Sequence, residues 1–446
     1  MKYEVIIVLF LTLFSTNGTG QQVKRISLSE ALSMASAGNR ELQVQVLEAA
    51  RQKEITREVK SLLLPNVAAG GSYQYYFDRQ IIFLPGSFAG TSKPVQEVAV
   101  GGKHAFNSMI TASQPLVDLV AGKQAEQARY DEQIQREKTG DLEGRLGEQL
   151  SIAYLNMLFM QAQIILQEQS LSRNRKALDD TRSLFLQGRS LKADTLRAFI
   201  AVENLRSSIS YLKNRLNVSG IYLKRLIGLD DSVEMELSDS LAPENEPSGF
   251  YELGGMLETA VQKRNDIAIQ KLTMVKEQLG LAAARAERLP RVSAVGHYQL
   301  QAQADNIRLR RYAWPPTSFL GVQVSVPVFS GYRIRSRISQ AEIRIKQERI
   351  GLDDLQHSVR AELAALTAEW KETGQQLQLQ KRTMELAGIS YSVMDDRYRN
   401  GRSTRLELSD AELALTQSRI NYLQAVYSHR VVQVQLRRAQ GLLKLQ

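Results

Sequence analysis

Cysteine is absent from the 446 residues. Disulfides, thiol nucleophiles, thiolate metal sites and a lipidated amino-terminal cysteine are thereby excluded. Proline is scarce and clustered: all ten fall within 65–115, 243–247 and 290–327. The tracts 116–242 and 328–446 are left free of the residue that breaks helices. The four histidines (His104, His297, His357, His429) are isolated, with no His-x-x-x-His pair and no Gly-x-Ser-x-Gly. "GGKH" at 101–104 lacks the glycine of a phosphate loop and precedes a predicted strand. The residues therefore predict no catalytic constellation, no metal site and no cofactor. Beyond the amino terminus no stretch approaches eighteen consecutive apolar residues, so no further membrane-crossing helix is expected.

The net charge is +10, from 57 basic and 47 acidic residues. The basic residues are scattered and interleaved with glutamate, which reads as a solvated surface and not as a nucleic-acid groove. The opening "MKYEVIIVLFLTLFSTNGTG" has one lysine, a short apolar run and small polar residues. That layout predicts a signal peptide over 1–20 and an exported chain.

What is present is a duplication. "LLPNVAAGGSYQ" (63–74) returns as "RLPRVSAVGHYQ" (288–299), 225 positions later. "ASQPLVDL" (112–119) returns as "VSVPVFSG" (324–331), and "FLQGRS" (185–190) as "YRNGRS" (398–403). The last offset, 213, then runs without a gap to Gly228 and Gly441. A first repeat at 21–228 and a second at 253–446 flank an acidic, proline-bearing linker at 229–252, the two repeats forming one structural unit. Each repeat is expected to run helix, strand, loop, strand, very long helix, tight turn, helix. In the first these are 29–62, 66–77, 78–103, 104–117, 119–186 and 191–228. In the second they are 253–288, 291–303, 304–318, 319–329, 331–399 and 404–442.

The strands alternate. Val67, Ala69, Gly71, Tyr73 and Tyr75 oppose Ala68, Gly70, Ser72 and Gln74, and "FLGVQVSVPVFSG" (319–331) sets Leu320, Val322, Val324, Val326 and Val328 against Gly321, Gln323 and Ser325. Such length and two-facedness suit either a tilted strand crossing a bilayer around a wet lumen or a half-buried strand of a soluble sandwich. The long helices favour the first, since seventy residues at ~1.5 Å each make a rod on the order of 100 Å. The last helix carries two seven-residue ladders, Leu406, Leu413, Ile420, Tyr427, Val434 and Leu408, Leu415, Tyr422, His429, Leu436. A helix in a two-stranded coil needs one apolar seam, whereas a helix in the wall of a tube needs two. Four amphipathic strands also leave two edges that a bilayer does not tolerate, so several protomers must pool them.

The paired "LP" before an alternating strand, the paired S-x-P before a long helix and the paired G-R-S turns resemble the TolC family of outer-membrane efflux ducts. So does "ISLSEALSMASAGNRELQ" near the amino terminus. The resemblance covers essentially the whole chain after the signal peptide. It implies a mainly α fold with a small membrane β-barrel portion: a homotrimer whose twelve strands form one barrel in outer-membrane lipid and whose helices form a periplasmic tunnel. The implied duct is Gram-negative, catalyses no reaction, and carries small toxic compounds or proteins from a periplasmic adaptor protein and an inner-membrane transporter.

By that resemblance the tunnel closes where the long helices turn. Two inward acidic positions of the family fall on Glu407 and Asp410, three residues apart on one helical face, so three copies would make two acidic rings. The other reading is of solvated carboxylates favoured by a helix amino terminus. The family's gating arginine is replaced by Ser403, which leaves Arg402 or Arg405 to pair with Asp194 and Tyr398. At the position equivalent to Asp410 the first repeat has Arg197. The turns Gly188-Arg189-Ser190 and Gly401-Arg402-Ser403 match the family's adaptor contacts, although glycine is also required wherever a helix hairpin turns left-handed. The competing reading of the chain is an exported periplasmic coiled-coil scaffold without channel activity.

Overall fold

The computed structural model describes residues 24–88, 90, 93–243, 253–308 and 311–445. The predicted signal peptide and positions 244–252 of the linker lie outside the described residues. In chain order the elements are β1 (Lys24–Ile26), α1 (Leu28–Gly38), α2 (Arg40–Ser61), β2 (Asn66–Tyr75), β3 (Gln80–Pro85), β4 (Val95–Val100), β5 (His104–Val117), α3 (Leu119–Leu186) and α4 (Lys192–Ile227). They continue as β6 (Met235–Leu237), α5 (Leu253–Lys263), α6 (Asn265–Ala286), β7 (Arg291–Ala304), β8 (Pro316–Ser325), α7 (Arg333–Arg399) and α8 (Arg405–Ala439). Two compact units result. One takes the described residues up to Val44 with 140–264 and 358 onward, and the other takes 45–139 with 265–357. Each unit draws on both repeats.

The long helices α3, α4, α7 and α8 end within three residues of their expected limits. Three expectations need correction. The expected loop 78–103 contains an antiparallel hairpin, β3 with β4, paired from Gln80↔Val100 to Pro85↔Val95. The strand expected at 319–329 is β8, and it runs from Pro316 to Ser325. Proline begins it because β8 is an edge strand, where a missing N–H costs no ladder bond. The helices expected at 29–62 and 253–288 are each two helices, broken at Asn39 and Arg264.

Those breaks have a tertiary cause. Asn39 caps α2, accepting at Oδ1 from the Leu42 N–H at 3.0 Å, and its Nδ2 donates to the Leu226 carbonyl at 2.8 Å. In the second repeat an Arg264 guanidinium nitrogen donates to the Ala439 carbonyl at 3.0 Å and to Glu362 at 2.6 Å. Position 264 is 39 shifted by 225, and 439 is 226 shifted by 213, the two repeat offsets. Each break rests on the glycine ending the last helix of its repeat, Gly228 (φ 70°) or Gly441 (φ 71°). A Cβ on Gly228 would lie 2.1 Å from the Gly38 carbonyl oxygen, and one on Gly441 2.7 Å from the Lys263 carbonyl carbon. Only glycine combines the left-handed backbone with such an approach.

Around the first junction Ile26, Ala31, Ala35, Leu146, Leu150, Leu223 and Ile227 form the main core. At its centre the buried Tyr154 hydroxyl lies 2.9 Å from both the Ile26 carbonyl and an Asp239 carboxylate oxygen. Burial first, and then Asp239, push its ionisation far above the ordinary tyrosine range. Asp239 also accepts from the Leu28 N–H at 2.8 Å, so the described part of the linker is tied to α1 as well as paired, through β6, with β1. One helix, α3, holds an 18-residue stretch long and apolar enough to cross a membrane by length and composition, and 44% of that stretch is buried inside the protein.

Besides the β3–β4 hairpin, the second unit contains a four-stranded antiparallel sheet of order β2-β5-β7-β8. Its registers, Tyr73↔Phe106, Ile110↔Tyr298 and Gly296↔Leu320, give it two faces. One carries Val67, Ile110, Tyr298, Leu300, Leu320, Val322 and Val324; the other carries Asn66, Ser72, Asn107, Thr111, His297, Gln299 and Gln323. Beyond the sheet the chain turns sharply at Gly331 (φ 58°) and Tyr332 (φ 63°). A left-handed tyrosine costs of order 1–3 kcal/mol.

Candidate functional site

The two helix turns are built alike. Gly188 (φ 68°) and Gly401 (φ 67°) end α3 and α7 in left-handed conformations. The next N–H, of Arg189 or Arg402, returns to the Leu184 or Arg397 carbonyl, at 2.8 Å in each case. This double-bonded ending satisfies carbonyls that the helix leaves open. The starts of the following helices differ. Thr404 caps α8 with a capping box: its N–H donates to Glu407 Oε2 at 2.7 Å, and the Glu407 N–H donates to its hydroxyl at 3.3 Å. These hydrogen bonds from Thr404 hold the Glu407 carboxyl below its ordinary value. In the first repeat Leu191 stands in the threonine's place and supplies no side-chain cap. Asp194 instead accepts from the Leu191 N–H and the Ser190 hydroxyl, each at 3.4 Å, and pairs with Arg197 at 3.9 Å.

Of the predicted closing residues, the structure brings together Tyr398 and Arg405, with the guanidinium 5.7 Å from the ring centroid. Asp194 has its partners on its own helix and turn. Arg402 is exposed, and Ser403 lies with its hydroxyl 3.5 Å from the Met394 carbonyl. Asp410 is exposed on α8, three residues on from Glu407. Among the described residues no group of histidine and carboxylate side chains is arranged to hold a metal ion.

Sequence reasoning missed Glu412. Its side chain is 6% exposed and accepts from Arg173 Nε at 2.9 Å and Asn174 Nδ2 at 3.1 Å. Arg173 also stands 6.0 Å over the Tyr391 ring. Burial, then the charges of Glu412 and Asp395, raise the Tyr391 hydroxyl's ionisation above its ordinary value. The signal was available, since position 412 follows Leu408 by four and precedes Leu415 by three. A carboxylate at such an inward position requires a partner.

The two ladders of α8 behave differently. Leu408, Leu415, His429 and Leu436 are buried within the chain, whereas Leu406 and Leu413 are 59% and 68% exposed. His429 is satisfied, with Nδ1 3.0 Å from the Thr373 hydroxyl and its ring stacked on Trp370.

In the sheet, Val322 and Val324 on the apolar face are 65% and 60% exposed, and β2 and β8 have unpaired outer edges. Near the loop end of that face, Tyr73, Tyr75, His104, Phe106, Tyr312 and Trp314 form a continuous aromatic cluster. On the polar face Gln299 donates to Asn107 at 2.8 Å and lies 3.1 Å from His297.

Across residues 256–442 the chain matches the family model of outer membrane efflux proteins. It is 23% identical to the cation efflux system protein CusC of Escherichia coli K12 over 292 residues, 65% of this chain and 62% of CusC. The aligned stretch is thus less than two thirds of that relative's length. Crystal structures of CusC superpose with a TM-score of 0.72 at 20% identity, covering 96% of this chain and 95% of that one. The Campylobacter jejuni CmeC outer membrane channel superposes at 0.75 with 13% identity, covering 94% and 86%. The fold is that of the TolC-like outer-membrane channels.

Proposed function

We propose that this chain is one protomer of a trimeric outer-membrane exit duct. The duct receives small toxic compounds or proteins from an inner-membrane transporter and a periplasmic adaptor protein and releases them outside a Gram-negative cell. The observation that carries this reading is the sheet: four two-faced strands, an exposed apolar surface, and free edges at β2 and β8. A bilayer tolerates that surface but not those edges, so the strands of three copies, twelve in all, close one barrel around the polar face. The uncovered Leu406 and Leu413 supply the second seam that such a tube needs.

The test places one charge on each face of β8. Val322→Arg should cost about 2 kcal/mol per protomer against lipid and lower the yield of membrane-inserted, heat-sensitive oligomer, whereas Gln323→Arg, one residue on, should insert normally and shift ion selectivity. Equal loss from both variants, or a wild-type protein that is stable without detergent, would point to a periplasmic scaffold instead.

The aperture lies at the helix turns, where Glu407 and Asp410 of three copies form two acidic rings, and the Glu407 carboxylate is also engaged by the α8 cap. In planar bilayers Asp410→Ala should relieve block by a trivalent cation about tenfold more than Glu407→Ala, because the free charge dominates cation binding in a narrow pore. Equal relief would remove the distinction between the two acids. The turns Gly188-Arg189-Ser190 and Gly401-Arg402-Ser403 are the adaptor contacts in this scheme, and Tyr398 with Arg405 helps hold them closed.

A further inference from the structure

The four strands of the sheet, at 66–75, 104–117, 291–304 and 316–325, hold a single residue of the lysine, arginine, aspartate and glutamate group, Arg291. It opens β7 opposite Ser325 of β8, in the same row as Ser293, His297 and Gln299, and so belongs to the polar face. Its counterpart in the first repeat, 225 positions earlier, is Asn66, which opens β2 opposite Ser113. The duplicated strand therefore pairs with either an amide or a guanidinium at this place, and the ladder does not require the charge.

Arg291 lines an open cleft of about 540 Å³ together with Asp118, Glu287, Ser325, Arg333 and Arg337. The two acids there are already engaged. Asp118 accepts from the Ala121 N–H at 2.9 Å at the start of α3, and both Glu287 oxygens contact one Arg337 nitrogen, at 2.7 and 2.8 Å, with Arg333 at 3.9 Å. The Arg291 side chain is exposed and has no ion pair or hydrogen bond among the described residues. Three arginines against two acids leave the local charge positive, with Arg291 as the uncompensated member.

An unpaired guanidinium facing water attracts anions and meets carboxylate or phosphate oxygens through paired N–H donors. We propose that Arg291 sets the charge preference of the barrel, three copies forming a basic ring at its helix end that draws carboxylate- and phosphate-bearing solutes into the lumen. The inference rests on the duct reading, which puts the polar face around the lumen; the same face keeps the ring away from lipid headgroups. Because the strands carry no other formal charge, nothing else in the barrel wall opposes its sign. The ring is opposite in sign to the acidic rings proposed for the aperture, so the two preferences are separable by mutation.

The experiment measures reversal potentials of the detergent-purified protein in planar bilayers under potassium chloride gradients, then with citrate in place of chloride. At low salt Arg291→Asn, which copies the first repeat, should lower the anion-to-cation permeability ratio about twofold, and Arg291→Glu about fourfold. Both effects should fade near about 1 M salt, where charges are screened beyond about 3 Å. Arg291→Lys should keep most of the wild-type ratio, which a purely structural role of the arginine would not predict. Citrate should widen the gap between wild type and Arg291→Asn, since the same field acts on a higher charge. A ratio that ignores Arg291→Glu at low salt, or a change that persists undiminished at high salt, would overturn the ring. Either result needs conducting channels and so leaves the duct standing, whereas a well-folded wild type that forms no channels would refute the duct reading and the ring with it.

Discussion

Gly228→Ala should disable folding of the first helical junction, costing about 3–5 kcal/mol, the range reserved for named structural failures. A methyl group there would lie 2.1, 2.4 and 2.7 Å from the carbonyl oxygen, carbonyl carbon and Cα of Gly38, all of them backbone atoms. No side chain can swing aside, so the α1–α2 break must move, and the 2.8 Å bond from Asn39 to the Leu226 carbonyl must stretch with it. The left-handed backbone adds about 1 kcal/mol for any residue with a Cβ. Two comparisons calibrate the effect. Gly188 has the same hand (φ 68°) with nothing within 4 Å, so Gly188→Ala should cost only that backbone penalty of about 1 kcal/mol. Gly441→Ala, 2.7–2.9 Å from Lys263 and Arg264 backbone atoms, should fall between them. Urea resistance of the purified protein, with limited proteolysis around 36–42, reads the order. Equal effects at 188 and 228 would show that the close approach is not rigid.

The duplication made most of this fold legible. The 213-residue offset located Gly188 and Gly401 to the residue, and the proline-free tracts gave α3, α4, α7 and α8 nearly whole. Alternation gave β2 and most of β8, and the repeated order placed β5 and β7 with them. What escaped was decided by tertiary contact. Nothing local breaks "NRELQ" or "RNDIA" strongly enough to divide a helix; the breaks at Asn39 and Arg264 come from docking on Gly228 and Gly441. β3 escaped because "QIIFLP" is a continuous apolar run with no alternation to register. At the start of α8, spacing placed Glu407 and Asp410 on one face, but which carboxylate was tied to a cap depended on Thr404. Leu191 occupies the same place in the first repeat and provides no such cap.

Glu412→Leu should loosen the start of α8 by about 2–3 kcal/mol, seen as ~30-fold to 150-fold faster amide exchange through 408–420. Removing one member of a fully buried ion pair costs about 3–5 kcal/mol, but the Arg173 side chain is 28% exposed and can partly rehydrate, which lowers the figure. Arg173 also retains its position over Tyr391. Asn174 loses a 3.1 Å acceptor, and the hydroxyl of Thr416, already buried without a partner, gains none. Glu412→Gln keeps one acceptor oxygen and should lose less than half as much. The double variant Arg173→Leu/Glu412→Leu is the decisive arm. If the cost comes from a stranded guanidinium, replacing both partners with apolar groups should restore most of the protection. If instead the double variant is as labile as the sum of the single ones, the pair is not coupled, and the contact between α3 and α8 is held by its leucine ladder alone.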